Sequence, residues 1–144
     1  MQQNNHLPIN KKQPNLIQTM NNREKIISDY ISGYNDFDIE KMIANLDEQV
    51  QFENIANGET NMSISGLSAF KKQAEEAKSY FSERTQTIRS FKHMNDRTEV
   101  EIDYYAIVAM DFPNGLKIGD ELKLQGKSVF TFRDDKIIKI TDIS

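Results

Sequence analysis

An α+β domain built on a strongly curved antiparallel sheet is the fold this sequence predicts, and three observations carry that reading. Apolar residues recur at helical spacing in the first half of the chain, whereas from Thr85 the period switches to two. Helices followed by a run of strands place the helices on one face of an antiparallel sheet. The stretch from Tyr30 to Asn54 reads as a helix, a tight acidic break, a second amphipathic helix and a short strand ending in polar groups. A helix hairpin that delivers a strand in this way brings a tyrosine and a polar strand residue into one pocket of a cone-shaped domain. Such pockets bind small molecules.

The first helix is expected from about Asn22 to Tyr34, where Ile26, Ile27, Tyr30, Ile31 and Tyr34 form one apolar-aromatic stripe. Asn35 to Asp38 breaks it, and Asp38 is a good N-cap because its carboxylate accepts orphan backbone N–H groups. Ile39, Met42, Ile43 and Leu46 then give the pattern of a second short helix. Val50 to Ile55 is strand-like and is followed by the turn dipeptide Asn57-Gly58. Ser65 is placed to cap a third helix in which Phe70, Ala74, Ala77 and Phe81 share a face. Four strands follow over about residues 85–94, 98–110, 120–133 and 136–143. Asn95-Asp96, Pro113-Asn114-Gly115 and Asp134-Asp135 separate them.

The two central strands fix their own register. Val100, Ile102, Tyr104, Ala106 and Val108 alternate with Glu99, Glu101, Asp103 and Tyr105, while Leu122, Leu124, Ser128, Phe130 and Phe132 alternate with Lys123, Gln125 and Lys127. Paired as a hairpin, the acidic face of one lies beside the basic face of the other, each opposite-charge pair contributing about 0.2–1 kcal/mol. A slip by one residue turns every side chain over.

Composition narrows the function classes. The chain has 144 residues, enough for one domain with a core of its own. Ten of its first 22 residues are Asn or Gln, without any period. Residues 1–21 are therefore expected to be a flexible leader, with an arm draped over the domain as the alternative, and residues 22–144 a single domain. Cysteine is absent, which excludes disulfides and thiol chemistry. A net charge of −4 with interspersed signs argues against nucleic acid, whose phosphates require a basic surface. There is no long apolar run to span a membrane and no secretory pattern, so the expected location is the cytoplasm. With two distant histidines, His6 and His93, no metal site and no cofactor are expected.

These pieces together resemble the NTF2-like superfamily, and within it the SnoaL-like and ketosteroid-isomerase-like small proteins. The resemblance covers about residues 23–144. It rests on Tyr30, Tyr34 and Asn35 followed by Asp38, on Val50-x-Phe52-Glu53-Asn54, on the Ser65-Gly66-Leu67 opening of the third helix, and on Phe130 to Ile137. It implies a cone in which three helices close the concave face of the sheet around an apolar cavity. It also implies homodimers paired through the outer face of the sheet. The fold hosts many chemistries and does not name one.

Ketosteroid isomerisation uses an aspartate base, with a tyrosine and a protonated aspartic acid as the oxyanion hole. By spacing, the resemblance carries these roles onto Tyr30 for the tyrosine, Asn54 for the base and Ser128 for the acid. Only the tyrosine is retained, and an amide cannot take up a proton, so steroid isomerisation is not expected. Two other groups are candidates to move a proton. Glu53 reaches the cavity only if a bulge re-aims it, since neighbouring strand residues face opposite ways. His93 titrates near neutrality, and related dehydratases use a histidine. Asp103 is expected to face outward against Lys127, and Arg89 to be an ion-pair partner on the outer face.

Two functional readings result. One is a small-molecule-binding protein whose apolar cavity carries Tyr30, Tyr34, Asn54, Tyr104 and Ser128 as polar handles among Phe52, Phe81 and Phe130. The other is a lyase or isomerase of polyketide-cyclase type, in which Tyr30 stabilises an enolate and Glu53 or His93 moves the proton. The expected partner is a small apolar or aromatic ligand.

Overall fold

A computed structural model describes residues 15–144. Helix α1 spans Leu16–Asn35 and α2 spans Ile39–Ile43. Strands β1 (Leu46–Ala56) and β2 (Glu59–Ser65) form a hairpin that leads into α3 (Leu67–Ala77) and a single 3-10 turn. The remaining strands are β3 (Phe81–His93), β4 (Arg97–Val108), β5 (Glu121–Arg133) and β6 (Lys136–Ile143). All six strands share one sheet in the order β2-β1-β6-β5-β4-β3.

The α+β reading holds, with corrections. Helix α1 begins at Leu16, so the expected leader loses its last residues to the helix; the rest of it lies largely outside the described residues. The earlier start has a local cause: Asn15 Oδ1 accepts the Gln18 N–H at 2.8 Å, an N-cap among amides that look unstructured. Strand β2 completes the hairpin announced by Asn57-Gly58, where Asn57 and Gly58 both take positive φ. Ser65 ends β2, and Gly66 occupies the N-cap of α3 without a side-chain cap. The sheet is not wholly antiparallel, because β1 runs parallel to β6.

Two close approaches set the shape. Asp38 caps α2 as expected, accepting the Lys41 N–H at 3.1 Å, and the Asp38 N–H donates to Gly33 O at 2.8 Å. A Cβ on Gly33 would stand 2.8 Å from Met42 N, so glycine is what lets α2 fold back against α1. In β5, a Cβ on Gly126 would meet Ile143 O at 2.7 Å, so the chain end closes tightly over that strand. Register shifts at Asn54/Ile55, Ile88/Ser90 and Thr131/Phe132 add to the bend of the sheet. The core lies between its concave face and the helices, centred on Ile27, Val100, Phe130, Ile137 and Ile140.

Candidate functional site: a cavity with two unmatched charges

Beside this core the concave face encloses a cavity of about 450 Å³. Tyr30 and Tyr34 reach it from α1, Phe52 and Asn54 from β1, Phe81 from the start of β3, Tyr104 from β4 and Ser128 from β5. The first helix and the first strand thus both contribute to the wall of one hollow. Tyr30 is 7% exposed and packs edge-on against Phe130, with ring centroids 5.6 Å apart.

Three of the anticipated site residues do not line the cavity. Phe130 lies behind Tyr30 and is 1% exposed, so it is core rather than lining. Glu53 points away between the two lining residues Phe52 and Asn54. Its carboxylate pairs with Lys139 at 3.3 Å, because the shift in β1 falls after Asn54, too late to turn it inward. His93 sits at the far end of β3, where its ring bonds Thr98 Oγ1 at 2.9 Å and Glu24 at 2.7 Å. Asp103 faces outward as expected, but its partner is Arg89 at 3.7 Å; Lys127 pairs instead with Glu99 at 3.5 Å.

The structure supplies ionisable groups that the sequence reading passed over. Asp142, on β6, lines the cavity directly across from Ser128, whose Oγ donates to Asp142 Oδ1 at 2.6 Å. Burial pushes this carboxyl from its ordinary 3.8 up to about 6, and the Ser128 hydrogen bond only partly offsets the rise. Asp142 keeps some exposed surface, yet protein packs around it densely enough for desolvation to dominate.

Arg84, on β3, is 2% exposed and also lines the cavity. Its Nε donates to Tyr34 O at 2.7 Å, satisfying a carbonyl in the last turn of α1. Its guanidinium lies over the rings of Tyr34 and Phe37, 3.8 and 4.3 Å from their centroids. Phe37 takes a φ of 57°, a left-handed conformation uncommon for a bulky residue, and thereby closes the stack. The neighbouring lining residue Gln86 is held at the sheet edge by Asn35. That side chain donates to Gln86 O at 3.0 Å and accepts the Gln86 N–H at 2.7 Å, as a further strand would.

Between these two charges stand three phenols. Tyr34 and Tyr104 share a hydrogen bond of 2.9 Å. Burial is the largest cause that raises the pKa of all three, so each remains a protonated donor across the working pH range. Asn54 bonds Asn61 at 2.8 Å near the hairpin. The rest of the wall is mostly apolar, with Met42, Phe52, Ile64, Phe70 and Ile102 prominent, and Gln73, Gln125 and Lys127 also line it. Among the described residues no cluster of His, Asp and Glu is arranged to hold a metal ion, and no helix is long and apolar enough to cross a membrane.

The fold has counterparts among known proteins. A model of the SnoaL-like domain matches residues 27–140. No curated protein sequence matches the chain. Among solved structures, a protein from Jannaschia sp. CCS1 assigned as a SnoaL-like polyketide cyclase superposes with a TM-score of 0.73. It has 9% identity and covers 85% of this chain and 84% of that one. A protein assigned as a polyketide cyclase from Xanthomonas campestris pv. campestris gives a TM-score of 0.67 at 19% identity, over 86% and 90% of the two chains. A protein of ketosteroid isomerase-like fold from Catenulispora acidiphila DSM 44928, in complex with trimethylamine, gives 0.68 at 11% identity, over 81% and 82%. At these identities the structures speak for the fold alone. The family match, spanning most of the domain, places this chain in the SnoaL-like family of the NTF2-like superfamily.

Proposed function

We propose that the cavity binds a small, mostly apolar cyclic carbonyl compound and that Asp142 moves a proton on it, as a lyase or isomerase of polyketide-cyclase type would. The observation that carries this reading is the carboxyl of Asp142, held by Ser128 in an apolar hollow and lifted to about 6. A base whose pKa lies near the operating pH is largely ionised yet still returns its proton readily. The carboxylate would remove a proton from the carbon next to the carbonyl, and the resulting carboxylic acid would return it elsewhere on the ring. The negative charge formed on the carbonyl oxygen needs a donor that is itself never ionised, and Tyr30 is such a donor. The Tyr34–Tyr104 pair uses one of its two hydroxyl protons internally and keeps the other for the ligand. The polyketide-cyclase assignments of the Jannaschia and Xanthomonas proteins support the same substrate class.

The test is hydrogen exchange in deuterated buffer. With 2-tetralone, an apolar bicyclic ketone, the protein should accelerate deuterium incorporation beside the carbonyl, followed by NMR. Asp142→Asn should still bind the ketone but exchange no faster than buffer. Binding without accelerated exchange would leave a binding protein, and exchange that survives Asp142→Asn would remove Asp142 from the chemistry.

A further inference from the structure

We infer that the β3 end of the cavity is an oxyanion subsite, so that the ligand is an organic acid rather than a neutral ketone alone. Its carboxylate, or an equally acidic enol oxygen, would lie against Arg84 and its ring system in the apolar hollow. The inference rests on the reading of the cavity as a ligand site and goes beyond it by naming the ligand's charge.

A buried guanidinium is costly unless it is matched by charge and its N–H groups are satisfied. Arg84 is nearly inaccessible, yet it enters none of the ion pairs among the described residues. Among the described residues its one hydrogen bond runs from Nε to a backbone carbonyl, and Nη2 is buried without a partner. The rings of Tyr34 and Phe37 offset part of the charge through their faces, but face contacts leave the N–H donors unmet. A second orphan sits beside it. Gln86 Oε1 is likewise buried, without a donor among the described residues, and Gln86 also lines the cavity. Arg84 and Gln86 are two residues apart on one strand and therefore share a face.

An unfilled donor and an unfilled acceptor on the same wall match a particular ligand end: an oxyanion carrying or flanked by an O–H or N–H donor. Hydroxy-acids and acidic enols have that arrangement. Asp142 does not supply the missing charge from within: it stands on β6, three strands from β3, its side chain is bonded to Ser128, and no ion pair joins it to Arg84 among the described residues. The cavity thus offers a permanent cation at one end and a proton-exchanging carboxyl at the other. A ligand anchored by its anionic group at Arg84 would extend its ring toward Asp142.

The experiment compares 3-hydroxy-2-naphthoate with its uncharged counterpart, 3-hydroxy-2-naphthamide, by isothermal titration with the full chain. Charge-assisted contacts of this type should make the acid bind at least about tenfold more tightly than the amide. Gln86→Glu, which sets a carboxylate beside Arg84 without disturbing the stacked guanidinium, should abolish that preference and leave amide binding in place. Arg84→Met should do the same if it folds, but the conclusion does not need it. Equal affinities of acid and amide for the unaltered protein would overturn the subsite and leave the cavity reading standing. A preference that persists in Gln86→Glu would place the anion elsewhere and also overturn it. Failure of both compounds to bind would overturn the subsite together with the cavity reading.

Discussion

The two faces of the sheet treat charge in opposite ways. On the face away from the cavity, charges come in matched, solvent-washed pairs: Arg89 with Asp103 and Lys139 with Glu53. On the concave face Arg84 is buried and Asp142 partly so, and among the described residues neither has a counterion. Outer pairs of this type contribute little each, with typical values of about 0.2–1 kcal/mol, and mainly keep strand register. An unmatched buried charge works against the fold and is retained only where something else offsets it or where function requires it. The comparison therefore separates residues that organise the sheet from those the proposal assigns to a ligand, and it does so without reference to any relative.

The largest effect that would sharpen this contrast is on proton transfer. Replacing Asp142 by Asn should lower the exchange rate of a bound ketone by about 10²–10⁴-fold, the usual contribution of a positioned acid–base group. Measured rates that fall less than threefold would assign Asp142 to the same passive role as the outer carboxylates.

The second effect, on stability, has the opposite sign. The Asp142 carboxyl ionises near 3.8 in the unfolded chain and near 6 in the native one, so the native state holds the extra proton between those values. Stability from this site is then fully present below about pH 4 and is lost as pH rises through about 6. Asp142→Asn, which removes the buried charge and keeps an acceptor for Ser128, should stabilise the domain by about 2–3 kcal/mol at about pH 8. The gain should vanish near pH 4, with urea midpoints at the two pH values as the readout. A variant both inactive and more stable is the expected mark of a functional buried charge.

Smaller effects test the remaining parts. Tyr34→Phe deletes the bond to Tyr104 and should destabilise by about 1 kcal/mol in urea unfolding. Lys139→Met, on the outer face, breaks the pair with Glu53 and should change stability by less than about 0.5 kcal/mol, with no effect on ligand binding. A large loss there would contradict the division between the faces.

Which parts of this were legible in the sequence follows from where the strand alternation holds. Tyr30, Tyr34, Phe52, Asn54, Tyr104 and Ser128 line the cavity at positions the helix and strand periods give, whereas Phe81, expected on the face of the third helix, reaches it from the start of β3. Asp142 was hidden by a bulge. Ile137 and Ile140 are both buried although they are three apart, because the β5–β6 register shifts at Thr131/Phe132. Counting in twos from Ile137 turns Asp142 outward, whereas counting from Ile140 turns it inward. Arg84 was lost at a boundary: the periodic pattern starts at Thr85, but the strand itself starts at Phe81. Glu53 and His93 looked plausible because their residue types suit the chemistry, and only packing shows them occupied elsewhere. Asn15 and β2 were missed because short polar segments carry no apolar period, although Asn57-Gly58 marked the turn of the hairpin.

The most direct test of the central claim is an NMR titration of the Asp142 side-chain carboxyl carbon in the unaltered protein. The account predicts a midpoint of about 6, displaced from the ordinary 3.8. A midpoint at or below the ordinary carboxylate value would mean that the group is solvated or paired like those on the outer face, and the proposed base would be lost.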